Sequence, residues 1–106
     1  MVYWQNMYTG GLRPINFDWD EANRDHLARH RVLPHEAEEA LSDPFGLNYE
    51  VVDGEERWTD IGHTREYRVL IVVWTLRQDE VVRVVTARPA SKKLGIEYLR
   101  QKGFSV

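Results

Sequence analysis

The chain has no cysteine. Disulfides, thiolate chemistry and cysteine-based zinc sites are therefore excluded, and the composition suits a reducing compartment. No stretch approaches the ~20 apolar residues that a membrane-spanning helix needs. The longest apolar run, residues 69–76, is interrupted by Thr75 and flanked by Arg68 and Arg77. The first eleven residues lack the basic end and apolar stretch of a secretory signal, so the sequence reads as cytoplasmic with no membrane partner. Glycine-rich phosphate loops, dinucleotide fingerprints and the His-Glu-x-x-His pattern of helical zinc sites are all missing. Ser42, Ser91 and Ser105 stand at expected helix ends or at the terminus, away from any strand-turn-helix elbow that would expose a nucleophilic serine. His26 and His30 have a spacing that suits one metal, but zinc requires a third ligand and a fourth group. With Trp19 and Leu27 on the same helical face, the pair reads as two packed, hydrogen-bonded histidines. No metal or other cofactor is expected.

What is present fits one globular domain. A chain of 106 residues, 42% hydrophobic and 29% charged, supports a single core. Residues 1–14 lack a period and contain Gly10, Gly11 and Pro14. They read as a flexible arm, with a short strand over residues 3–8 as the alternative, preceding a domain over 15–106. The net charge of -3 hides an asymmetry. Residues 1–56 hold four Lys/Arg against twelve Asp/Glu, whereas residues 57–106 hold ten against five. One half is acidic and the other is anion-seeking.

The periodicity predicts α+β order: two N-terminal helices, a four-stranded antiparallel meander sheet and a C-terminal helix. Asp18 or Asp20 caps a first helix that runs to about residue 30. Pro34 suits the first turn of a second helix over residues 35–41, with Ala37, Ala40 and Leu41 inward. Residues 47–52 and 56–61 read as strands, joined through Asp53-Gly54. Residues 67–76 and 81–88 carry apolar side chains on both faces and should be central. If Gln78 and Asp79 alone form their turn, Trp74 faces Arg83 and Val69 faces Arg88. Ser91 caps a last helix over residues 92–101, closed by Gly103.

The chemistry-bearing set is cationic. Arg57, Arg68, Arg77, Arg83 and Arg88 fall on strands or strand ends, with Lys92 and Lys93 just beyond. A guanidinium is a planar fork of donors suited to phosphate. With Trp58, Tyr67 and Trp74 interspersed, such a sheet can hold a single strand and stack a base. Taken singly, each arginine reads first as the partner of a carboxylate in the acidic half; taken as a set, they are expected to include a functional member. RNA carries its own nucleophile, the 2′-hydroxyl. An enzyme that cuts it must align the backbone, stabilise added negative charge and move protons.

The order of motifs resembles the BrnT family, the toxin half of a bacterial type II toxin–antitoxin pair. The resemblance rests on Phe17-Asp18-Trp19-Asp20, then Arg29-His30-Arg31-Val32, then the Glu/Ala-rich segment from Glu36 to Pro44. It continues with Glu55-Glu56-Arg57, Ile61-Gly62, Thr75-Leu76-Arg77 and Val84-Val85-Thr86-Ala87-Arg88, covering about residues 17–98. It implies a RelE-like fold and ribonuclease activity on an RNA substrate. It also implies a cognate ribbon-helix-helix antitoxin, with operator DNA bound only through that antitoxin. Three positions depart from the family pattern. Arg31 and Tyr67 stand where the family has glycine, so the turn at Arg31 is expected to avoid a glycine conformation. Leu94 stands where the family has Glu. Within this frame Arg57, Arg77 and Arg88 are the expected phosphate or transition-state contacts, with His63 as proton carrier. Trp74, Arg83, Lys92 and Lys93 are the expected RNA-binding residues. Arg77 and Arg88, at opposite ends of their hairpin, should lie roughly 25 Å apart at ~3.3 Å per residue. The alternative is a catalytically degenerate homologue that binds an antitoxin without cutting RNA.

Overall fold

The computed structural model describes residues 3–5, 12–78 and 80–106. Residues 1, 2 and 6–11 of the expected arm lie outside the described residues. Within that arm, β1 (Tyr3–Gln5) pairs antiparallel with β2 (Leu12–Pro14). Then follow β3 (Asn16–Phe17), α1 (Glu21–Arg29), α2 (Pro34–Ala40), β4 (Phe45–Val52), β5 (Glu55–His63), β6 (Val69–Arg77), β7 (Val81–Pro89) and α3 (Lys92–Gln101).

The main sheet has five strands in the order β3-β7-β6-β5-β4. Strands β4 to β7 form the expected antiparallel meander. The expectation of four antiparallel strands is corrected by β3, which adds a fifth and pairs parallel to β7 through Asn16–Val81 and Phe17–Val82. Two residues carry no period, so pattern reading passes over them.

Local chemistry sets the helix ends. The Asp20 side chain accepts from the Asn23 amide at 3.0 Å, and the Asn23 side chain accepts from the Asp20 amide at 2.8 Å. This reciprocal pair starts α1 at Asp20 rather than Asp18. Pro34 opens α2, and Ser91 caps α3 through the Leu94 amide at 3.2 Å. Gly103, at φ 95, follows α3 in the left-handed conformation that glycine adopts freely.

The helices cover both faces. On one side Leu27, Ala37, Ala40 and Leu41 meet Leu70, Val72, Trp74, Val82, Val84 and Ala87. On the other, Tyr98, Leu94 and Leu99 of α3 meet Ile61, Val69 and Ile71. Fully buried side chains such as Leu27 and Leu70 each contribute about 1.5–3 kcal/mol. α2 seats so closely on β5 that the Ala40 carbonyl occupies the space a side chain at position 62 would need. No described helix is long and apolar enough to cross a membrane.

Much of the charge asymmetry is consumed in tying the two halves together. Arg83 pairs with Asp18 and Asp20, Arg68 with Glu36, Arg65 with Glu39, and Lys102 with Asp43.

Two expectations about turns are corrected. Arg31 takes φ 58 and Tyr67 φ 64, so both positions keep the left-handed backbone that a glycine would favour. A side chain there costs on the order of 1–2 kcal/mol, which the packed neighbours sustain. Asp79 of the expected Gln78-Asp79 turn lies outside the described residues, but Arg77 pairs with Val81, one residue beyond the partner a two-residue turn would give it. The register then slips again: Trp74 faces Val84, Val73 faces Thr86, and Val85 is the extra residue of a bulge. Trp74 therefore does not face Arg83, and Arg88 faces Ile71 rather than Val69.

Candidate active site

Thr75 on β6 pairs with Arg83 on β7. The β5–β6 ladder, followed one step past Trp58–Trp74, brings Arg57 opposite Thr75. Arg57, Thr75 and Arg83 thus form a row across three strands. Alternation turns that row away from the α1/α2 core, towards the α3 side of the sheet. The Thr75 hydroxyl donates to the Glu56 carbonyl at 2.7 Å, fixing the row's middle. Beyond it stands Arg77, at the end of β6. Arg57, Arg77 and Arg83 line a cleft of about 270 Å³ together with Glu55, Asn23 and His26, the last two contributed by α1.

The three guanidiniums are held differently. Arg83 is mostly buried and reaches Asp18 at 3.1 Å and Asp20 at 3.0 Å. Its hydrogen bond to Asp20 raises the arginine's pKa further and holds the Asp20 carboxyl below the usual carboxylate range. This arginine is a fixed charge. Arg57 pairs with Glu55 at 3.0 Å, with about a third of each side chain exposed (33% and 34%). Such a pair contributes ~0–1 kcal/mol, so an incoming phosphate competes for that guanidinium at small cost. Arg77 is exposed.

His26 sits with Nδ1 3.2 Å from the Val85 carbonyl. A carbonyl only accepts, so in the neutral ring Nδ1 carries the proton and Nε2 keeps a free lone pair. The bulge at Val85 is what turns that carbonyl to α1. Asn23, one turn earlier, bonds the Val84 carbonyl at 3.2 Å. The packing expected of His26 and His30 is corrected: Asn23 and Leu27 form the buried side of α1, and both histidines are exposed.

The structure brings Arg57, Arg77 and Arg83 together and separates the other expected site residues from them. Arg88 is exposed and faces Ile71, six residues along β6 from Arg77, about 20 Å at ~3.3 Å per residue. That shortens the 25 Å expected from the simpler hairpin, for the loop and bulge reasons given above. Lys92 and Lys93 are exposed in the first turn of α3. Trp74 is only 8% exposed, stacks on Trp58 with centroids 4.6 Å apart, and donates its indole N–H to Asp60 at 3.0 Å. Its ring is committed to the core and is not presented to a base. Glu55 and His26 are the cleft residues that sequence reasoning left out. The bulge and the α1 docking bring His26 there, whereas Glu55 arrives on β5 beside Arg57.

His63 stands at the far end of β5, six residues from Arg57, again about 20 Å away at ~3.3 Å per residue. Its Nδ1 lies 2.8 Å from the Tyr98 hydroxyl, with Tyr67 stacked parallel and Phe104 edge-on. Burial, with help from the Lys102 ammonium, pushes its pKa down, while Asp43 opposes. Burial also pushes the Tyr98 phenol up to about 12. This is a packing cluster that joins β5, the turn before β6 and the end of α3. Because the folded pKa of His63 lies below the unfolded one, the unfolded chain binds the proton first. Stability contributed here is present above the unfolded pKa of ~6.5 and falls as pH drops through it. Melting temperature should therefore decrease between about pH 7.5 and 5.5. His63→Gln should flatten that slope; equal slopes in the two proteins would refute the assignment.

Comparison with curated proteins finds no match. Comparison with protein families matches residues 19–93 to the family described as "Ribonuclease toxin, BrnT, of type II toxin-antitoxin system". The match takes in α1, α2, β4 to β7 and the start of α3, and with them every residue of the arginine cleft. The chain belongs to the BrnT family of type II toxin–antitoxin ribonuclease toxins.

Proposed function

We propose that this toxin cuts RNA without a metal, in the cleft of Arg57, Arg77 and Arg83. His26 is the general base, and Glu55 is the second proton-handling group. The observation that carries this reading is the convergence in one cleft of three guanidiniums, a carboxylate and an imidazole whose tautomer a backbone carbonyl selects. In the reaction, His26 Nε2 takes the proton of the 2′-hydroxyl and the 2′-oxygen attacks the adjacent phosphorus. The bond from phosphorus to the 5′-oxygen breaks, and that oxygen takes up a proton from solvent by way of Glu55. The products are a 2′,3′-cyclic phosphate and a 5′-hydroxyl. The arginines neutralise the charge that grows on the phosphoryl oxygens, the largest electrostatic demand of the step.

A second, larger cleft shares Glu55 and Arg77 with the first and adds Phe17 and Trp58 as aromatic walls. We place a flanking base there, in the stacking role that buried Trp74 does not fill. Arg88, Lys92 and Lys93 lie outside the cleft and hold the RNA backbone at a distance from the chemistry. A ribbon-helix-helix antitoxin neutralises the toxin and carries the complex to operator DNA.

Three features weigh against the degenerate alternative. Arg31 and Tyr67 keep the left-handed turns, and Leu94 packs against the Ile61, Val69, Ile71 and Tyr98 cluster, supporting α3. The purified chain is expected to cleave RNA to cyclic-phosphate ends at the same rate with and without EDTA. Activity lost in EDTA and restored by one divalent ion would overturn metal independence. A folded chain that cleaves nothing would favour the degenerate reading.

A further inference from the structure

We infer that β4, the outer strand of the main sheet, is the edge on which the antitoxin docks, by adding an extended segment of apolar and basic side chains. The inference rests on the family reading, which supplies a protein antitoxin but not its place of binding.

β4 pairs only with β5; among the described residues no strand covers its other edge. Natural edges are blunted by short length, charged side chains, proline, β-bulges or a covering element. β4 is eight residues long and contains neither lysine nor proline. Its one irregularity lies between Gly46 and Asn48, and residues 48–52 pair regularly with β5. Along it Phe45 is 38% exposed, Leu47 48%, Tyr49 52% and Val51 57%. One strand thus supplies half of the exposed large apolar side chains among the described residues. Such a strand offers backbone hydrogen bonds for affinity and side-chain contacts for specificity.

Charge selects the occupant. Between Arg31 and Arg57 the sequence has no lysine or arginine and eight carboxylates, including Glu50, Asp53 and Glu56 on the β4–β5 ribbon. A basic segment complements that rim. A second copy of this chain would set the same carboxylates against one another, which is unfavourable. Position explains neutralisation. A strand added to β4 lies two strand spacings from β5, about 10 Å at ~4.8 Å each. Glu55 and Arg57 of the cleft are on β5, so the docked segment continues naturally over the active site.

The test is the double variant Leu47→Arg, Val51→Arg, which places positive charge on exposed positions outside the cleft. Calorimetry with the purified antitoxin should show at least a tenfold weaker dissociation constant, while RNA cleavage without antitoxin stays unchanged. An unchanged dissociation constant overturns the inference. So does a wild-type toxin that sediments as a dimer which the variant dissociates, since β4 would then hold a second copy. If the wild-type chain cuts no RNA, the ribonuclease reading fails, yet the dissociation constant still reports on β4.

Discussion

Arg57→Ala is expected to slow RNA cleavage about ten- to a hundredfold and to leave the fold intact. Removing a charge-assisted contact to phosphate costs ~1.5–3 kcal/mol, which is that range in rate. The stability cost should be small, because the Glu55 partner is partly exposed and stays solvated when the guanidinium is removed. Surface substitutions of this kind stay within about 0.5 kcal/mol, or roughly 2–4 °C in melting temperature. Arg77→Ala should behave alike, since Arg77 lines the same cleft and is exposed. Arg83→Ala should differ by losing melting temperature as well, because Asp18 and Asp20 lose their shared partner. Arg88→Ala is the control: about 20 Å along the sheet from Arg77, it is expected to leave the cleavage step itself unchanged. Cleavage by Arg57→Ala at the wild-type rate would remove Arg57 from the active site. A loss of rate in Arg88→Ala equal to that in Arg57→Ala would mean the site spans the sheet rather than one end of it.

The second large effect is structural. Gly62→Ala should destabilise the protein by about 3 kcal/mol, near the top of the usual range for overpacking. A methyl at position 62 meets the backbone of Ala40 at the end of α2, not the movable tip of a side chain. The clash is relieved only by lifting α2 off β5, which opens the Ala37, Ala40 and Leu41 contacts of the main core. At ~4–8 °C per kcal/mol the melting temperature should fall by roughly 12–24 °C. A fall of only two or three degrees would show that α2 slides along the sheet without penalty.

The sequence by itself determined the elements and much of their order. Repeating polarity located α1, α2, α3 and the four strands β4 to β7 to within one or two residues at most ends. Asp-Gly at 53–54 and Gly103 marked their turns through the backbone conformations glycine permits. Apolar residues on both faces of β6 and β7 placed them inside the sheet, because only a strand covered on both sides needs them. The motif order from Phe17 to Arg88 identified the family. Tertiary structure alone decided the rest. The two-residue β3 has no period to read, so its parallel pairing with β7 emerges only when the chain closes. The bulge at Val85 changes no composition, yet it shifts Arg88 against β6 and offers a carbonyl to His26. Burial took Trp74 out of reach of a base and made His63 part of a packing cluster, although both are residue types that suit RNA. The candidate cleft was only half legible for the same reason. Residue type tells which side chains can bind phosphate or move a proton. Which of them share one cleft depends on register and helix docking, and these are set by long-range packing that local sequence does not encode.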